Sequence, residues 1–366
     1  MEKILYLMNV DWNWIKQRPH FIAEGLSADF DVTIVYQRRY SRKGYQKRNL
    51  PNNVKCIFTI PFIDRINGLR IINTAIKRLY ISFQIWHKKP DAIYTTSPEQ
   101  IEWIPKSYTG PVLYDCMDDH AGLAVSEDKK KRLLILEEKL YRRADTVIAS
   151  SMRLVHSLVE KYGEKEIHVI RNGYDRIIAS QPDTDETHNP FTICYFGTIS
   201  SWFDFELINE CLRVLPNIEF LLIGPLHNGV DIPQDRRVKY IGTVEHSELQ
   251  EKTRNADCFI MPFVLNDAIL AVDPVKLYEY INFNKNIICV YYPEVERFGP
   301  FCHFYRNKAE CVEIIRKLEM NNTRKYSEAE RKAFLQKNTW SGRAHEIKEL
   351  LLRESDHAAG HQSVKR

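Results

Sequence analysis

The sequence predicts an α/β protein built as two doubly wound, Rossmann-like domains facing a central cleft. Three observations carry that expectation. The chain has 366 residues, beyond the ordinary single-domain size. Short apolar runs alternate with helix-length periodic stretches in two successive series. A polar segment at 178–190, interrupted twice by proline, separates the series and reads as a linker or exposed loop.

In the first series strands are expected at 3–8, 32–36, 54–58, 92–94, 112–114, 146–149 and 167–170, with helices at 18–26, 69–87, 129–142 and 153–162. The second series places strands at 192–196, 220–223, 239–241, 258–261 and 287–290, and helices at 205–215, 247–255 and 275–283. The expected boundaries are a first domain over 1–177 and a second over 190–338. Beyond Glu354 the apolar periodicity stops and the tail is expected to fray. In such a fold, ligand contacts gather at the carboxyl ends of the strands.

Composition narrows the function classes. A hydrophobic fraction of 44% and a charged fraction of 27% exclude wholesale disorder. The net charge of +4 is modest but uneven: Arg38, Arg39, Arg42, Lys43, Lys47 and Arg48 crowd the segment 36–48 with no acid, interleaved with Tyr36, Tyr40 and Tyr45. The segment 69–89 adds Arg70, Lys77, Arg78, Lys88 and Lys89 among Ile, Leu, Phe and Trp. Two readings stay open: a solvated basic face with an ordinary amphipathic helix, or an anionic membrane surface held by charge and partial apolar insertion. No recognition module accompanies these residues, so nucleic acid is not an expected partner. Eight cysteines show no paired ligand spacing, which predicts reduced core thiols and no metal. The apolar run after Met1 is too short for a signal peptide, and none approaches the roughly 20 residues that span a bilayer. The expectation is a cytoplasmic protein, which the second of the two readings above would make peripheral on the inner membrane face.

Several segments at strand ends carry chemistry. Lys276 and Glu279 stand three apart and share a helix face, as an intrahelical ion pair or as contacts for phosphate and ribose; Pro274 suits the first turn. Gly197 and Thr198 open the loop after strand 192–196, where a glycine lets backbone amides approach a diphosphate or makes a ligand-free turn. Gly224 and Gly242 repeat that arrangement. No GxGxxG occurs at these junctions, which argues against a dinucleotide oxidoreductase. Trp14, Lys16 and Arg18 follow the first strand as a sugar-stacking and anion-binding wall, or as packing. Asp115, Asp118, Asp119 and His120 cluster after strand 112–114, to serve as a general base, to grip hydroxyls, to bind a cation or, for one acid, to cap a helix.

These segments resemble the GT-B glycosyltransferases, in particular the retaining family 4 group of bacterial capsule, teichuronic-acid and exopolysaccharide enzymes. The resemblance runs from the first strand to Trp340 and rests on Asp273-Pro-Val-Lys-Leu-Tyr-Glu-Tyr280, Val169-Ile-Arg-Asn-Gly-Tyr-Asp175, Tyr195-Phe-Gly-Thr198, Leu222-Ile-Gly-Pro225 and Tyr240-Ile-Gly-Thr243. It implies that Glu279 holds the donor ribose, that Lys276 lies near the donor phosphates, and that the loop at Gly197 and Thr198 faces the diphosphate. It also implies a final helix at 339–355 that returns to the first domain. Two positions depart from the family. Counting back from Glu279 by the family's spacing reaches Ala271 where a glutamate is usual, leaving Asp273 as the nearest acid. Met117 and Asp118 align with the acceptor-side histidine, and His120 is displaced.

The implied activity is transfer of a sugar from a nucleoside-diphosphate sugar to a lipid-linked or polysaccharide acceptor, with retention and with no metal or other cofactor. Lys276 would stabilise the departing diphosphate, Lys16 or Arg18 would assist from the opposing domain, and Asp118 or His120 would orient hydroxyls. A nucleotide-sugar epimerase and a degenerate sugar-nucleotide-binding scaffold are the alternatives, the scaffold encouraged by Ala271.

Overall fold

Strands joined by helical crossovers all point the same way, because each crossover returns the chain to the end from which it left. The computed structural model describes residues 2–14, 16–38, 51–60, 68–124, 126–174, 188–227, 229–245 and 247–363, with side chains as far as Arg353. It divides into two compact units, Met1–Gly173 with Thr339–Arg366, and Tyr174–Asn338.

The first unit runs β1 (Lys3–Met8), α1 (Arg18–Leu26), β2 (Asp31–Gln37), β3 (Val54–Ile57), α2 (Arg70–Lys88), β4 (Ala92–Thr95), a short 3-10 helix (Pro98–Glu102), β5 (Val112–Cys116), α3 (Glu127–Arg143), β6 (Thr146–Ala149), α4 (Met152–Tyr162) and β7 (Ile167–Val169). Its seven strands are parallel in the order β3-β2-β1-β4-β5-β6-β7. Both faces of the central strands are covered, so Ile4, Leu5, Tyr6, Leu7 and Met8 form an unbroken buried run without alternation. Helix starts follow their caps: Ser126 accepts from Lys129 N and Ser151 from Leu154 N.

The second unit runs β8 (Phe191–Phe196), α5 (Phe205–Val214), β9 (Ile218–Ile223), β10 (Val238–Tyr240), α6 (Leu249–Lys252), β11 (Cys258–Met261), α7 (Asp267–Leu270), α8 (Val275–Asn282), β12 (Asn286–Val290), β13 (Cys302–Tyr305), α9 (Lys308–Met320) and α10 (Glu328–Lys337). Its sheet is parallel in the order β10-β9-β8-β11-β12-β13. Each unit is thus Rossmann-like, as the two series predict, and the pair of sheets is the GT-B architecture. The expected helix at 247–255 shrinks to the single turn α6, where Thr253 Oγ1 bonds back to Leu249 O and competes with continuation. Strand β13 and helices α9 and α10 join the unit beyond the expected elements; α10 starts with a reciprocal Ser327–Glu330 capping box.

Helix α11 (Trp340–Ser363) closes the first unit against α1. Phe21 stacks on Trp340 with ring centroids 5.0 Å apart, and Lys348 Nζ reaches Asp29 at 2.7 Å. The helix does not fray at Glu354 but continues to Ser363, since Ala358 and Ala359 favour helix and each added residue gains a backbone bond. Of the eight cysteines, all are free thiols; seven are buried and Cys56 is exposed.

Close approach of α1 and α11 depends on Gly25, where a methyl group would overlap the Ala344 Cβ. Gly25→Leu is expected to force the helices apart and to cost about 1–3 kcal/mol, read as a lower urea midpoint at unchanged m-value.

Candidate functional site

In a doubly wound sheet the loops on either side of the strand-order reversal diverge and leave a crevice at the carboxyl edge. In the second unit that reversal falls between β8 and β11. Gly197 leaves β8 at φ +139°, in a region that L side chains rarely enter. Its N–H donates to Ile223 O at 2.8 Å, and Gly224 N donates to Gly242 O at 2.7 Å, so the ladder continues one residue beyond the strands. Gly224, at φ +136°, lies against the Gly197 backbone so closely that a Cβ would strike the carbonyl. The loop then crosses to β11: Asp204 N donates to Pro262 O and Val264 N to Trp202 O, both at 2.8 Å. Asp204 also caps α5 through Leu207 N.

The side chain that fills the space over Gly197 is Lys276, on the first turn of α8. A Cβ at 197 would overlap its Cε and Nζ. The ammonium lies 5.7 Å from the Tyr195 ring centroid and makes no hydrogen bond or ion pair among the described residues. Burial lowers the Lys276 pKa below the usual lysine value, against the opposing pull of Glu279 one turn along α8. Tyr195 donates its hydroxyl to Thr198 O at 2.7 Å and fixes the loop beneath the cation. Gly197, Thr198, Lys276 and Glu279 are therefore brought together. An unpaired, partly desolvated cation beside turn amides is an arrangement that receives an anion.

Asp273 goes elsewhere. Its buried carboxylate pairs with Arg297, which also donates to Tyr278 OH at 2.7 Å and to Glu294 O at 2.7 Å. Ala271 is buried at the end of α7. Neither position supplies an acid beside Lys276.

In the first unit the reversal lies between β1 and β4. Arg18 is buried there, and its guanidinium grips Asp115 through Nε and Nη2 at 2.9–3.2 Å while Nη1 donates to Ile170 O at 2.8 Å. Tyr94 OH gives Asp115 a further bond at 2.8 Å. Burial opposes the charge on Arg18, but Asp115 outweighs it and holds the guanidinium pKa above its usual value. The anion facing Arg18 is thus internal. Lys16 pairs with Glu24 at 2.6 Å over the Phe21 ring, and Trp14 is half-buried in the β1–α1 turn, its backbone N–H donating to Asp11 O.

The acidic cluster after β5 separates by role. Asp115 holds Arg18, and Asp119 caps a turn at Gly122 N. Asp118 keeps a carboxyl whose pKa burial raises, opposed by His120 and Arg18. His120 has its Nε2 buried without a hydrogen-bond partner among the described residues, on the wall of a cavity of about 160 Å³ shared with Asn9, Glu99, Trp103 and Lys129. A more open depression at Pro216 and 234–237 lies at the amino ends of β9 and β10, opposite the Gly197 edge, and its Arg237 is paired with Asp235. Among the described residues no three His, Cys, Asp or Glu side chains form a metal cluster. Nothing in the sequence marks Arg297, and Tyr195 stands there only as the first residue of the Tyr195-Phe-Gly-Thr198 run, with no role attached to it.

No family model matches the chain. It is 25% identical over 215 residues to the putative teichuronic acid biosynthesis glycosyltransferase TuaH of Bacillus subtilis, covering 53% of this chain and 54% of that protein. The chain thus spans about half the length of that curated relative. Among solved structures, a sucrose-phosphate synthase from Thermosynechococcus elongatus superposes with a TM-score of 0.70 at 12% identity, covering 98% of this chain and 100% of that one. The Anabaena protein HepE in complex with UDP and glucose gives 0.70 at 15% identity, covering 96% and 99%. These likenesses are of fold.

Replacing Arg18 by methionine would leave Asp115 charged and unpaired inside the sheet. A loss of about 3–5 kcal/mol is expected, with partial recovery in Arg18→Met/Asp115→Leu, measured by urea unfolding. Unaltered stability in the single variant would return Arg18 to the ligand-contact role.

Proposed function

We propose that the chain is a retaining, family 4-like glycosyltransferase. It moves a sugar from a nucleoside-diphosphate sugar to a lipid-linked or polysaccharide acceptor in cell-surface glycan synthesis. The observation that carries the reading is the Lys276 ammonium, partly desolvated against Gly197 at the β8–β11 reversal and without a hydrogen bond or ion pair among the described residues. The B. subtilis relative supports the substrate class.

In this reading Lys276 and the amides of the Gly197–Thr198 turn neutralise the departing diphosphate, where negative charge grows as the glycosidic bond breaks. Glu279 accepts from the ribose hydroxyls. Asp118 and His120 orient acceptor or sugar hydroxyls, the raised Asp118 pKa suiting a carboxyl that holds its proton longer than usual. Asp273 acts through Arg297 to seat the start of α8 and takes no donor contact. No metal is invoked.

The test is titration calorimetry with UDP, GDP and dTDP, followed by incubation of the matching sugar nucleotides with lipid extract and mass analysis of products. Lys276→Ala is expected to weaken nucleotide binding at least about tenfold, or about 1.4 kcal/mol. Lipid-dependent nucleotide release should disappear with it. Since a bound diphosphate favours the charged lysine, binding takes up a proton above the lowered pKa. Affinity should therefore fall as pH rises, beginning below the ordinary lysine value of about 10.4, and lose that dependence in Lys276→Ala. Binding without turnover would favour the scaffold, to which the missing acid at Ala271 already points. Interconversion of donor without acceptor would favour an epimerase.

A further inference from the structure

Helix α2 is turned inside out. A helix covering a sheet ordinarily faces its apolar stripe inward, yet the buried positions of α2 are Asn73, Lys77, Ile81 and Gln84. Outside stand Ile71, Leu79 and Trp86, each more than 70% exposed, with Phe83 and Ile72 beside them. At 100° per residue these five fall within about 120° of arc, so they form one stripe. The inward polar groups are satisfied: Ile60 N donates to Asn73 Oδ1 at 2.8 Å, Asn73 Nδ2 returns to Ile60 O at 3.1 Å, and Lys77 Nζ lies 5.2 Å from the Trp103 ring centroid. The orientation is therefore held by specific contacts. Lys77, expected among the surface cations, is a buried residue instead.

The charge on the helix has one sign. Between residues 70 and 89 there is no acid; exposed Arg78 borders the stripe and exposed Lys89 follows the last turn, while Arg70 and half-buried Lys88 stand at the two ends on the side of the buried positions. Of the basic segment expected to join this surface, residues 39–48 lie outside the described residues. No helix among the described residues is long and apolar enough to cross a membrane. An apolar stripe on a helix whose charged side chains are all basic suits a partner that is apolar below and anionic everywhere at its surface, which describes a bilayer.

We propose that α2 docks the first unit onto anionic lipid. It lies in the headgroup plane with Ile71, Leu79, Phe83 and Trp86 at the acyl boundary, Arg78 and Lys89 against lipid phosphates, and Arg70 and Lys88 reaching round from the two ends of the helix. Trp86 and Phe83, with ring centroids 6.0 Å apart, are the anchors, since aromatic side chains favour that boundary. This inference stands apart from the donor-site reading.

The experiment is co-sedimentation of the full chain with vesicles of phosphatidylglycerol and phosphatidylcholine in equal parts, and with phosphatidylcholine alone. Binding is expected to the mixed vesicles, falling as salt is raised. Phe83→Ser/Trp86→Ser should partition roughly tenfold less while keeping its circular dichroism and nucleotide affinity. Lys88→Glu/Lys89→Glu should erase the preference for the anionic vesicles. Three results would overturn the proposal: no sedimentation of the wild type with either vesicle, equal sedimentation of the aromatic double variant, or a lipid-free dimer that the double variant converts to monomer. The last would make the stripe an interface between copies. Failure of any nucleotide to bind would remove the donor reading and leave this one untouched.

Discussion

Backbone against backbone at Gly197 and Gly224 is the constraint on which the second unit's site depends. Gly224 lies where a Cβ would strike the Gly197 carbonyl, and the ladder runs on through Gly197 N to Ile223 O and Gly224 N to Gly242 O. The space so conserved above residue 197 is occupied by the Lys276 chain, which could not approach a substituted turn. The position of the cation and its partial desolvation follow from two missing side chains.

The first unit solves a different problem with the same topology. Its strand-order reversal is filled by an internal ion pair, Arg18 with Asp115, seated by Tyr94 and by the carbonyl of Ile170. A charge pair this deep gains specificity of arrangement more surely than stability. It ties the start of α1, the end of β5 and the segment after β7 to one another. Arg343 of α11 bonds Asn172 O nearby, so the same region also receives the final helix.

How much was legible depended on whether the determinant was local. Strand runs such as 3–8 and 258–261 were read at their true limits because burial on both faces leaves an unmistakable apolar block. The glycine turns and the Lys276–Glu279 spacing were legible for the same reason, since each sits within a few residues of its strand. Arg18 and Asp115 are 97 residues apart, and no periodicity links a cation to the carboxylate that will absorb it. Asp273 likewise meets Arg297 only across a fold. Helix α2 misled in the opposite way: its apolar stripe is plain in the sequence, but which side faces inward is decided by the Ile60 backbone and Trp103, partners that only packing supplies.

The first unit is discontinuous, for it takes in residues on both sides of Tyr174–Asn338. During synthesis on a ribosome the second unit has its whole sequence in hand before the first does, although the first begins earlier. Until Trp340 and Ala344 emerge, Phe21 lacks the ring it stacks on and Gly25 the methyl group it makes room for. Domains of most chains mature from the amino end onward. In this one the first unit is the last to have its whole sequence, because Thr339–Arg366 are added after the second unit's final residue.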